Sequence, residues 1–224
     1  MPFKNVLDWY DNRIDKGELS TSGWSRAYSQ KLRFRKNVQI YRSFVKEGMF
    51  GMQKVVDFGC GTADFLKFLT KGGYLSVEEY VGIEIRSEAR REAEIALYDE
   101  KKTNGHITSE IPDGWHMEMD LVVANAAYGF DNQNPVRDIT KLVSVFKPKV
   151  IIVDFFSEMR PYEPNMDGYR AFDPFDLTRL LCNRLHSTRF ILDHEAMPHA
   201  FTIGVGFDPT PWQEEEGTHA DRSR

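Results

Sequence analysis

Residues 55–64 read Val-Val-Asp-Phe-Gly-Cys-Gly-Thr-Ala-Asp. An apolar run stops at an acid, turns through two glycines and opens into a helical pattern, which commits this stretch to a strand, a tight turn and a helix. Glycines two apart let the backbone pass close to a bound molecule and aim amide N–H groups at it from the start of the helix. The flanking residues decide which molecule. A dinucleotide fingerprint needs Gly or Ala three places beyond its second Gly for close helix-to-strand packing, and here Asp64 holds that place. Asp57 weighs further against a pyrophosphate, because a carboxylate at the strand end repels an anion across a few ångströms in a partly desolvated cleft. A cationic ligand suits the turn better.

The next apolar segment, Tyr80-Val81-Gly82-Ile83-Glu84-Ile85, again ends in an acid. At about twenty residues beyond a glycine turn, such a carboxylate accepts hydrogen bonds from both hydroxyls of a ribose. Each acid has a plainer reading by itself, Asp57 as a helix cap and Glu84 as a solvated strand end. Their order along the chain favours a nucleoside. The Asp-x-Gly-x-Gly turn from Asp57 to Gly61 resembles the first motif of class I methyltransferases, whose cofactor S-adenosylmethionine carries both an ammonium and a sulfonium.

The 224 residues suffice for one α/β domain with a full core. No apolar run approaches the roughly twenty residues of a membrane span; Val150-Ile151-Ile152-Val153 is too short and is interrupted by Asp154. No signal-peptide order marks residues 1–5, and Cys60 and Cys182 are the two cysteines, so a reducing, cytoplasmic setting without membrane association is expected. The six histidines form no tight ligand spacing with them, so no metal is expected. Net charge is −5, against a strongly cationic surface. Between Ser25 and Lys46, however, Arg26, Lys31, Arg33, Arg35, Lys36, Arg42 and Lys46 occur without an acid. This basic 26–46 helix reads either as a solvated face or as an attraction for an anionic partner, nucleic acid included.

Hydrophobic periodicity predicts alternating helices and strands. Ser22 is placed to cap a helix with Trp24, Tyr28, Leu32, Val38, Tyr41 and Phe44 along one broad face, ending near Gly48. Strands are expected at 54–58, 80–84, 106–110, 119–125 and 149–156, with helices at 62–71, 87–102 and 136–146 between them. This alternation implies a parallel sheet covered by helices on both faces, with sites at the C-terminal strand ends. Segments 188–194 and 200–205 lie too close for a helical crossover and are expected to pair antiparallel through a turn at Pro198.

The resemblance extends over roughly residues 22–207. Gly23-Trp24, Ser29-Gln30 and Arg33-Phe34, then Val55 to Gly61, and finally His194-Glu195-Ala196-Met197-Pro198-His199-Ala200-Phe201-Thr202-Ile203 look like small bacterial and phage-type class I methyltransferases of unassigned substrate. It implies a Rossmann-like methyltransferase fold, a mostly parallel seven-stranded sheet closed by an antiparallel hairpin. Residues 1–50 then form a helical cap of the same domain, 51–210 the S-adenosylmethionine-binding part and 211–224 a flexible tail. Carried over, it implies that Asp57, Gly59, Cys60 and Gly61 line the methionine moiety and Glu84 holds the ribose. Ile85 then packs on adenine, Glu110 reaches its amino group, Ala124 walls the pocket, and Gln30 and Arg33 close over the methionine carboxylate. Cys60, flanked by glycines at a helix start, is either a thiol of lowered pKa or a small residue filling a tight loop.

The methyl acceptor is expected at Ala124-Asn125-Ala126-Ala127-Tyr128. Amino-methylating enzymes acting on nucleic-acid bases carry Asn or Asp, two prolines and an aromatic here; in this chain both prolines are alanines. Asn125 and Tyr128 keep the polar and stacking positions, and His194, His199 or Tyr128 are candidate proton acceptors, with Asp154 or Glu158 to orient them. A base is dispensable, because positioning supplies much of the acceleration for an already activated methyl group. The long connector 155–176, rich in aromatics, is an expected acceptor surface, and Asp173 before Pro174 an expected helix cap. Three readings stay open: a methyltransferase for a small molecule or uncharacterised acceptor, a nucleic-acid base methyltransferase, and a cofactor-binding interaction module without turnover. Oligomeric state is not legible.

Overall fold

The computed structural model describes residues 13–17, 27–45, 52–112, 114–128, 134–156, 171–187, 189–193 and 200–207. Their elements are α1 (Ala27–Phe44), β1 (Met52–Phe58), α2 (Asp64–Lys71), β2 (Ser76–Ile83), α3 (Ser87–Asp99), β3 (Asn104–Thr108), β4 (Leu121–Tyr128), α4 (Pro135–Phe146), β5 (Val150–Phe156), α5 (Pro174–Leu185), β6 (Arg189–Asp193) and β7 (Ala200–Gly206). The expected cap at Ser22, His194, the turn at Pro198, most of the aromatic connector and the 211–224 tail lie outside them.

The sheet order is β3-β2-β1-β4-β5-β7-β6. β1 pairs in parallel with β2 and β4, β2 with β3, and β4 with β5, whereas β7 runs antiparallel to both its neighbours. The sheet is therefore mixed. The strands 188–194 and 200–205 pair antiparallel as expected, and β7 lies between β5 and β6, an order the hairpin pattern alone does not specify. Burial explains the order. Every residue of β7 is buried, while β6 carries Arg189 and Asp193 and leaves Phe190 51% exposed, so β6 suits the edge and β7 the interior.

Alternate strand residues feed two cores. Val56, Val81, Val122, Ile151, Val153 and Ile203 pack beneath α4 and α5, and Val55, Tyr80, Leu121, Val123 and Ile152 beneath α1, α2 and α3. Strands buried on both faces read as the continuous apolar runs seen in the sequence. α1 also rests on β7, where two glycines make room. A Cβ on Gly204 would lie 2.5 Å from Ile40 Cγ2, and one on Gly206 2.4 Å from Phe44 Cδ1.

Local signals set the helix ends. Asn134 accepts from Arg137 N ahead of Pro135, and Asp173 accepts from the amides of Phe175 and Asp176 ahead of Pro174, each with proline at the first turn. α2 stops at Gly72, and Gly73 follows at φ +65°. Several expected bounds need correction. β2 spans 76–83 rather than 80–84, β4 121–128 rather than 119–125, and α3 stops at 99 rather than 102. β3 spans 104–108 rather than 106–110, which leaves Glu110 beyond the strand, and the buried face of α1 runs through Phe34, Asn37, Val38 and Tyr41, while Tyr28 is 75% exposed.

Strand order reverses between β1 and β4, so the crevice beyond their C-terminal ends is where an open α/β sheet accepts a ligand. Asp57 stands near the end of β1 and Asn125 near that of β4.

Candidate cofactor and acceptor site

The glycine turn is built from left-handed residues: Gly59 at φ 76°, Gly61 at φ 55° and Ala63 at φ 57°. Its amides do not face the crevice as the sequence suggested. Gly59 N and Cys60 N donate to Ile83 O at 2.8 and 3.1 Å, and Gly61 N donates to Glu84 Oε2 at 2.9 Å. Arg86 N donates to Glu84 Oε1 at 2.8 Å. The turn is strapped to the end of β2, and three amides that would cradle a phosphate are spent. Glu84 accepts one amide on each oxygen, and a carboxylate with about four lone-pair sites keeps capacity for two more donors.

Asp57 is 1% exposed and accepts from the Tyr80 hydroxyl at 2.8 Å through Oδ2, while Oδ1 has no hydrogen-bond partner. Burial raises its carboxyl to about 7, against the lowering influence of Tyr80 and Asn125, with Glu84 and Asp64 adding to the rise. A buried carboxylate with one bare oxygen is an expensive arrangement that an arriving cation relieves. Cys60 is the opposite of a reactive thiol. Burial, then Asp57 and Glu84, push its pKa up, and its sulfur packs 2.9 Å from where a Cβ on Gly82 would sit. The lowered-pKa alternative is thereby corrected in favour of the filler.

α1 covers these strand ends on polar contacts. Gln30 Nε2 donates to Asp64 Oδ2 at 3.0 Å, Arg33 Nε lies 3.6 Å from Asp154 Oδ2, and Lys36 Nζ bonds Asp193 Oδ2 at 2.8 Å. Asn37 Nδ2 donates to Asn125 Oδ1 at 2.5 Å. Asp154, 1% exposed, accepts from Thr202 Oγ1; burial raises its carboxyl, and Arg33, Thr202 and Asn37 oppose that rise. Gln30 and Arg33, expected at the methionine carboxylate, thus engage Asp64 and Asp154. The cationic stripe is also partly consumed, since Arg33 and Lys36 turn inward and Arg42 donates to Tyr74 O, while Lys31 and Arg35 stay exposed.

The remaining expected positions divide between crevice and core. Ile85 is 50% exposed, next to Glu84, and Glu110 is exposed beyond β3. Ala124 is fully buried in the core under α4 and α5, which leaves its backbone alone to wall a pocket. Tyr128 ends β4 opposite Phe155; its side chain, like all of His194, lies outside the described residues. Among the described residues no cluster of three His, Cys, Asp or Glu forms a metal site, and no helix is long and apolar enough to cross a membrane. Sequence reasoning missed Asn37, Tyr80 and Thr202. Asn37 left one signal, an amide between Phe34, Val38 and Tyr41 at helical spacing.

The sequence matches no protein-family model and no curated protein. Solved structures do match in fold. A magnesium protoporphyrin IX methyltransferase from Synechocystis PCC 6803 with bound SAH aligns at TM-score 0.61 and 12% identity, over 91% of this chain and 96% of that one. The methyltransferase domain of a bacterial Hen1 aligns at TM-score 0.58 and 16% identity, over 80% and 100%. A SAM-dependent methyltransferase from Aquifex aeolicus gives 0.59 and 14%, over 87% and 96%. The chain has the class I methyltransferase fold. In this fold Asp57 and Asn125 stand on β1 and β4, the strands that flank the crevice, and Glu84, just beyond β2, reaches the glycine turn at Gly61.

Proposed function

We propose that this chain is an S-adenosylmethionine-dependent methyltransferase acting on a small-molecule or otherwise unassigned acceptor. The observation that carries the reading is the bare Oδ1 of buried Asp57, beside a glycine turn whose Gly59, Cys60 and Gly61 amides are already spent. This donor set fits a cationic nucleoside and not a pyrophosphate: an unpaired acid for an ammonium, and Glu84 with lone pairs left for two ribose hydroxyls. Bound there, the cofactor supplies a methyl group already activated on a sulfonium. The chain's contribution is to bind and orient it. Asp57 receives the ammonium, Glu84 fixes the ribose, the half-exposed Ile85 offers an apolar face beside it, and α1 excludes water above the strand ends.

Two features support a non-nucleic-acid acceptor. The Asn125 side-chain oxygen, needed to hold a base amine, already accepts from Asn37, which leaves it one lone pair and a fixed direction, and part of the basic stripe on α1 is committed inside the molecule. Titration calorimetry with S-adenosylmethionine and with NAD tests the cofactor. Binding of the first, lost in Asp57→Ala, is expected, and binding of NAD instead would overturn the reading. A labelled-methyl screen over metabolite, protein and nucleic-acid fractions tests the acceptor, and incorporation confined to RNA or DNA would reverse the preference.

A further inference from the structure

Among the described residues, six buried side-chain polar atoms lack a hydrogen-bond partner, and four of them belong to Asn37, Asp57, Asn125 and Asp154. An unsatisfied buried polar atom is costly, and Arg33 Nε at 3.6 Å offsets that cost at Asp154 Oδ2. Several such atoms at one place call for an explanation, and a bound ligand supplies one. The four residues come from α1, β1, β4 and β5: Asn37 bonds Asn125, Asn125 stands two residues beyond Val123, the β4 residue in register with Asp57, and the Asn125 and Asn37 amides lower the carboxyls of Asp57 and Asp154 respectively. The remaining strap of α1 to this row is Arg33 against Asp154.

We propose that Asn37 is a positioning residue which, through Asn125, couples occupation of the cation site at Asp57 to the seating of α1 over the strand ends. The inference rests on the cofactor reading above. A cation at Asp57 Oδ1 fixes the neighbouring Asn125 amide, and the Asn125 carbonyl then holds Asn37 in place. Asn37 bonds Asn125 on β4 directly, and β4 carries the residues expected to meet the acceptor. Cofactor therefore tightens the hold of α1, already packed on the sheet, over the strand ends.

Hydrogen exchange of the full chain, with and without S-adenosylmethionine, tests the coupling. In the wild type the cofactor is expected to slow exchange across residues 27–44 as well as in the glycine turn. Asn37→Ser and Asn125→Ser, each verified as folded by circular dichroism, should bind about tenfold more weakly and keep protection of the turn but lose that of α1. Their double variant should bind no worse than either single one, as expected for residues acting through one contact. Full cofactor-induced protection of α1 in Asn37→Ser, or affinity losses that add in the double variant, would refute the coupling while leaving the cofactor reading intact. Absence of any binding to the wild type removes both.

Discussion

The backbone amide of Gly61 donates to Glu84 Oε2 across 2.9 Å, so the residue expected to hold a ribose also holds the glycine turn against β2. A single carboxylate would then serve the architecture and the proposed ligand together. Replacing it with the isosteric amide sets an N–H against one of two backbone donors.

Glu84→Gln is expected to lose roughly 2–3 kcal/mol of stability along with most affinity for S-adenosylmethionine. Thermal melting and calorimetry read the two losses. An unchanged melting temperature would mean that the strap contributes nothing.

Asp57→Asn should behave differently, weakening cofactor binding at least tenfold while raising the melting temperature at pH 8. The native carboxyl, lifted to about 7 chiefly by burial, is mostly ionised there at a cost the amide does not incur. A variant that binds normally would remove Asp57 from the site.

The pH dependence follows with a definite sign. A carboxyl with a raised folded-state pKa binds its proton more tightly in the native state, so its contribution to stability falls as pH rises from about 3.8 through about 7 and is flat above. Asp154 acts in the same direction. Urea denaturation across that window should show wild type losing stability relative to Asp57→Asn, by up to about 4 kcal/mol. A constant difference would contradict the raised pKa. Cofactor affinity runs the other way, rising with pH toward 7 with proton release on binding, detectable by calorimetry in buffers of different ionisation enthalpy.

Gly206→Ala puts a methyl group 2.4 Å from the Phe44 ring and is expected to cost about 1–3 kcal/mol, with faster hydrogen exchange along α1. Wild-type melting would mean that α1 shifts without cost.

Much of this arrangement was legible in the sequence, because strands buried on both faces show as apolar runs and because Asp57, Glu84 and the two glycines obey local rules of turn and charge. The fate of the turn amides was not. Their partner, Ile83 O, is a backbone atom, and no residue type announces it. Arg33 and Gln30 looked like ligand groups because their partners Asp154 and Asp64 lie far along the chain, joined to them only by tertiary packing. The position of β7 was hidden for a related reason: a hairpin specifies that two strands pair, not which of them faces β5. Asn37 was passed over as one polar residue in an amphipathic helix, although its neighbours Phe34, Val38 and Tyr41 already placed it on the buried side.

Gly204 and Gly206 carry a consequence for the order of assembly. They form the seat for Ile40 and Phe44, so among the described residues the first long helix rests on the last strand. Contacts this distant in sequence form late, after nearer pairings have restricted the chain. Until β7 lies between β5 and β6, α1 lacks the seat for Ile40 and Phe44, and its hold on β4 and β5 is incomplete. A chain halted before Ala200 is expected to keep β1, β2 and the glycine turn yet leave the strand ends open to water, so the competence of the site reports that synthesis has reached the final strand.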